Sequence, residues 1–150
     1  MTVYDKTKKY DGMVFFKRPK DTLNYLYLDK VNASTLLIYD LLCDYYNSEK
    51  GYAYPSMDTL ALDSGMTRQA VGTHVKVLHE YGLVKIFVEK RKGNKKGEGY
   101  KYKPQLPLSR EELFKRYPEA RKRYEKKANK IKDRYEKPEI VEVKIGDIRF

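Results

Sequence analysis

The chain contains no tryptophan, a single cysteine and two histidines in 150 residues, and each scarcity closes off some chemistry. One cysteine, Cys43, excludes an internal disulfide. It sits inside an apolar helical run and reads as a small buried hydrophobe rather than a redox centre. His74 and His79 face different sides of a helix, His74 as a half-buried packing residue and His79 exposed, so they form no close ligand pair and no metal is expected. No window approaches the ~18 apolar residues of a membrane span, and the N-terminus has no apolar signal core, so a cytoplasmic location without membrane association is expected. Enzyme motifs are missing too. There is no Gly-x-x-x-x-Gly-Lys-Ser/Thr phosphate loop and no His-x-His pair to hold a nuclease metal, although the chain has 15 tyrosines as potential nucleophiles. Asp58 and Asp63 fall on one predicted helix without converging, and no Ser, His and Asp set has sequence support. Neither catalytic residues nor a cofactor are expected.

What the chain has in excess is positive charge, 32 Lys and Arg against 21 Asp and Glu. The surplus is uneven. Residues 1–84 hold 10 basic and 10 acidic side chains, residues 85–137 hold 20 and 8, and the last thirteen hold 2 and 3. Nearly all of it lies where one stretch could meet a polyanion, although solvated basic helices are also common. The length suits one compact domain with extensions.

Residues 54–103 organise the rest. Ser56 is placed to cap a first helix carrying Leu60 and Ala61, which breaks at Gly65. Thr67 is placed to cap a second helix carrying Ala70, Val71, Val75 and Leu78, which stops at Gly82. Gly65 suits a left-handed turn, and Met66 fills the angle between the helices. A strand-like run at 85–92, a Gly- and Lys-rich loop at 93–99 and a second short strand at 100–103 predict a hairpin with a basic tip. An ordinary helix pair beside an ordinary hairpin is the competing reading. The Thr-Arg start of the second helix beside a lysine-rich glycine loop argues against it.

The pattern Ser56-x-x-x-Leu60-Ala61-x-x-x-Gly65-Met66-Thr67-Arg68-x-x-Val71-x-x-x-Val75-x-x-Leu78-x-x-x-Gly82-Leu83-Val84 resembles the helix-turn-helix of bacterial winged-helix proteins, both transcription regulators and the winged-helix domains of plasmid or phage replication initiators. The expected fold is mainly α with a small β component: a winged helix-turn-helix, with a three-helix core and a β-hairpin wing, followed by a long basic C-terminal helix. Burying Ala70, Val71, Val75 and Leu78 turns Arg68, Gln69, Gly72, Thr73 and Lys76 outward. Arg pairs with guanine, Gln with adenine, and Thr meets a thymine methyl, so with Thr67 these form the expected reader of base edges. Gly72 either admits DNA closely or accommodates a neighbouring element. Ser56, Lys90, Arg91, Lys92, Lys95 and Lys96 are the expected contacts to the DNA backbone.

Around this centre, residues 1–12 read as a loose arm and 13–104 as the domain. Short apolar runs at 13–16 and 25–28 read as edge strands or as an irregular arm. The cations Lys6, Lys8, Lys9, Lys17 and Arg18 read as a solvated tail, with groove entry as the alternative. Asn32 is placed to cap a helix to Asn47 that buries Leu37, Ile38, Leu41, Leu42 and Tyr45. Tyr52 and Tyr54 read as packing residues. Ser109 and Glu112 form a capping box opening a helical extension at 105–137, whose stripe Tyr117, Ala120, Tyr124, Ala128, Ile131 and Tyr135 suits docking on the domain or pairing with a second copy. Arg121, Lys122, Arg123, Lys126, Lys127 and Lys130 form either a solvated face or phosphate contacts. Residues 138–150 read as a strand-like tail suited to a sheet edge or a protein partner.

The resemblance implies a sequence-specific double-stranded DNA-binding protein, acting as a homodimer on an operator. Two alternatives stay open: a plasmid or phage replication or partition protein on origin repeats, and a protein-interaction module or phage inhibitor that keeps the fold.

Overall fold

The computed structural model describes residues 3–88, 99–134 and 140–149. About half of the chain is helical, with one small antiparallel sheet. The central helix, α1 (Ala33–Asp44), starts with a reciprocal capping box: Asn32 accepts from the Thr35 amide while Thr35 accepts from the Asn32 amide. Its burial is wider than one face. Leu36, Ile38, Tyr39, Leu41 and Leu42 are all buried, and Leu37 is only half-buried. Other elements pack around it on most sides, and it ends three residues earlier than predicted, at Asp44.

Two further helices close the core. α2 (Met57–Ser64) contributes Leu60, and α3 (Arg68–Glu80) contributes Val71, Val75, Val77 and Leu78. Gly65, at φ +70°, makes the left-handed turn between them, a conformation that a residue with a Cβ adopts at a cost. A hairpin follows, with β1 (Val84–Val88) pairing antiparallel with β2 (Tyr100–Pro104) from Val84 opposite Pro104 to Val88 opposite Tyr100. Ala53 adds a third rung, exchanging both backbone hydrogen bonds with Tyr102 at 2.8 Å. The segment before α2 is thus anchored to the edge of the wing.

The extensions differ from expectation in four ways. The run at 25–28 is neither strand nor loose arm. It belongs to a 3-10 helix, Lys20–Tyr27, whose Tyr25 is buried and accepts from the Leu108 amide at 2.9 Å. Arg18 is no tail cation, because it forms a two-pronged ion pair with buried Asp40 of α1. The C-terminal helix is two helices, α4 (Arg110–Arg116) and α5 (Pro118–Lys132): Tyr117 leaves helical geometry before Pro118, where a proline ring fits only a first turn. Residues 140–149 form no strand. They run extended into a 3-10 turn, Ile145–Asp147, with Ile140, Val141, Val143 and Ile145 exposed; no sheet edge receives them among the described residues.

α4 and α5 dock on the 3-10 helix. Tyr27, Phe114 and Tyr124 form an aromatic cluster with ring centroids 5.2–6.5 Å apart, and Ala120 is buried beside it. Arg123 donates to the Tyr27 carbonyl at 2.7 Å, and Arg110 donates to Asn24 at 3.0 Å while lying over the Tyr124 ring. The first half of the predicted stripe is therefore a docking face, while Ala128 and Ile131 lie further along the helix, half-buried and exposed. Tyr135 is outside the described residues. No described helix is long and apolar enough to cross a membrane.

Candidate nucleic-acid interface

α3 is built to divide its surface in two. Thr67 accepts from the Ala70 amide at 3.1 Å, fixing where the helix begins and hence which residues turn inward. Val71, Val75 and Leu78 are then buried against α1 and α2, and Arg68, Gln69, Thr73 and Lys76 are exposed. Val77 is also buried, beyond the set expected from the spacing, and Ala70 is half-buried. Thr73 donates its hydroxyl to the Gln69 carbonyl at 3.1 Å, which orients its methyl while leaving oxygen lone pairs to accept.

Gly72 has open space beside it. A Cβ built there meets nothing within 4 Å among the described residues, so no neighbouring element of this chain requires a glycine. Close approach of DNA is the reading of Gly72 that stays open, for a residue that weakens a helix interior.

Ser56 occupies the corresponding place on α2, accepting from the Thr59 amide at 3.1 Å, and is exposed. Of the proposed reader and backbone residues, the structure brings together Ser56, Thr67, Arg68, Gln69, Thr73 and Lys76 on or beside the outer edge of the tandem helices. Lys90, Arg91, Lys92, Lys95 and Lys96 lie outside the described residues.

Sequence reasoning missed several neighbours of this edge. Arg68 pairs with Asp58 of α2 at 3.2 Å, with both side chains mostly exposed. Spacing gave no sign of it, because the contact joins two helices across a turn. Tyr52 and Tyr54 are not simply packed in the core: Tyr54 is 51% exposed and Tyr52 half-buried, meeting edge to face at 5.8 Å. The readable signal was their alternation around Ala53, which marks a short strand with both rings on its outer side.

His74 of α3 is half-buried, with Nδ1 3.0 Å from the Thr35 hydroxyl. Burial holds its pKa below the ordinary histidine value. His79 is exposed at the ring, with Nδ1 3.2 Å from the Val84 carbonyl. Cys43 packs against the core, and burial pushes its thiol pKa up, which suits an inert hydrophobe. Among the described residues no group of three or more His, Cys, Asp or Glu is arranged to hold a metal.

Residues 32–84 match the family model of a helix-turn-helix domain. The match runs from the cap of α1 to the first residue of β1. No curated protein and no solved structure gives a significant match to the chain.

Proposed function

From the premise that residues 32–84 form a helix-turn-helix domain, completed by the β1–β2 wing, we propose that the protein binds double-stranded DNA sequence-specifically through α3 and works by occupying its site rather than by catalysis. The observation that carries this is the two-sidedness of α3. Its apolar half is fixed in the core, and its exposed half offers Arg68, Gln69, Thr73 and Lys76, side chains that hydrogen-bond base edges. A single helix end reads only a few base pairs, so we take the working unit to be a homodimer on an inverted repeat, as in transcriptional regulation at an operator. Ser56 and Thr67 reach the backbone in this reading: Thr67 has its hydroxyl proton to give a phosphate, and so does Ser56 when Thr59 donates in the 2.9 Å contact between their hydroxyls.

Selection of bound sequences from a random duplex pool, with footprint length recorded, tests it. One inverted repeat spanning two turns of DNA is expected. Tandem repeats would shift the role to replication or partition, and no preferred duplex at moderate salt would leave a protein-binding role instead.

A further inference from the structure

Beside the reader edge lies a cleft of about 460 Å³, lined by Lys50, Tyr52 and Tyr54 before α2, by Tyr100 and Lys101 of the wing, and by Arg68 of α3. Tyr102, which also lines it, is joined to Ala53 between Tyr52 and Tyr54 by two backbone hydrogen bonds. Lys50 Nζ lies 4.5 Å from the centre of the Tyr54 ring and Lys101 Nζ lies 4.4 Å from that of Tyr52. Each aromatic ring thus holds an ammonium group by its π face, and the rings brace one another edge to face.

Two features of this arrangement select the ligand. Among the described lining residues, Lys50 and Arg68 outnumber the one carboxylate, Asp58. In addition, a ring face bearing an ammonium group is not open for a base to stack on, whereas a phosphate oxygen can bond to the ammonium directly. Both features favour a phosphate over an unstacked base as the occupant. Arg68 lines the cleft and also starts the exposed side of α3, so the two surfaces are continuous at this residue.

We propose that this aromatic-braced cleft, with Lys50 and Tyr54 as its principal residues, seats a backbone phosphate of the DNA flanking the base pairs read by α3. The proposal rests on α3 being the reader and adds to it a fixed second contact that sets how the helix is presented.

The test uses the full chain and its selected duplex, with single neutral methylphosphonates placed along each strand. Lys50→Gln is expected to weaken preferred and scrambled duplexes by the same factor and to lower the slope of log affinity against log salt by about one. One methylphosphonate position that weakens wild type should cease to matter in Lys50→Gln. Tyr54→Leu should behave like Lys50→Gln, and Tyr54→Phe like wild type, because the ring and not the hydroxyl holds the lysine. An unchanged slope with an unchanged methylphosphonate pattern overturns the phosphate seat while leaving α3 as reader. A loss confined to single-stranded DNA overturns it in favour of base stacking. A wild type that prefers no duplex overturns seat and reader together.

Discussion

α3 and α5 are of similar length and both present polar faces, but they use charge differently. α5 carries seven Lys or Arg in fifteen residues, and α3 carries two in thirteen. On charge density alone α5 would be taken for the nucleic-acid helix. What α5 anchors, however, is the chain itself: Arg123 donates to the Tyr27 carbonyl, while Arg121 and Lys122 form exposed pairs with Glu125 and Glu119. Its buried stripe holds α4 and α5 against the 3-10 helix. In α3, Arg68 pairs with an equally exposed carboxylate of α2. Such a pair is weak in water and easily exchanged for a base edge. Specific reading therefore depends on which side chains a fixed backbone turns outward, and a count of basic residues does not reveal that.

The comparison can be broken first at the buried sides. Leu78→Ala in α3 should cost about 2 to 5 kcal/mol of unfolding free energy, because Leu78 is fully buried among three helices. Tyr124→Ala in α5 should cost less, about 1 to 3 kcal/mol, since its ring is only half-buried in the aromatic cluster. Denaturant titration reads both, and equal costs would mean that α5 is as integral to the core as α3.

The outer sides come next. Gly72→Ala should raise stability by about 0.5 to 1 kcal/mol, since a methyl there is unobstructed and alanine favours helix. The same methyl should weaken binding to the preferred duplex. Paired melting and binding measurements check this, and a gain in both would place Gly72 away from the DNA.

The smallest expected effect is one of pH. The folded-state pKa of His74 is lowered by burial, so near the ordinary histidine value the unfolded chain binds the proton more readily. Stability should fall as pH drops through about 6.5 and level off once the folded protein is protonated too. In His74→Gln that part of the pH dependence of the melting temperature should vanish, and its persistence would assign it to another group.

Helix starts were legible because capping is local: Asn32, Ser56, Thr67 and Ser109 each bond an amide three residues on. The division of α3 followed from its start and a 3.6-residue period. What escaped was set by distant partners. The 3-10 helix depends on Tyr25 meeting Leu108, and Arg18 on finding Asp40, contacts separated by 83 and 22 residues. The outward rings of Tyr52 and Tyr54 escape a local reading because the pairing of Ala53 with Tyr102, which turns them outward, spans the whole helix-turn-helix. The alternation in residues 140–145 looked like a strand, but alternation supplies only one half of a ladder.

Competition between the selected duplex and a scrambled one tests the central claim most directly, with Arg68→Ala set against a variant in which Lys126, Lys127 and Lys130 are all changed to Gln. The account predicts that Arg68→Ala lowers the preference ratio by about 5- to 150-fold, equivalent to 1 to 3 kcal/mol, while the α5 variant leaves that ratio unchanged. A ratio unmoved by Arg68→Ala, or lost in the α5 variant, would contradict it.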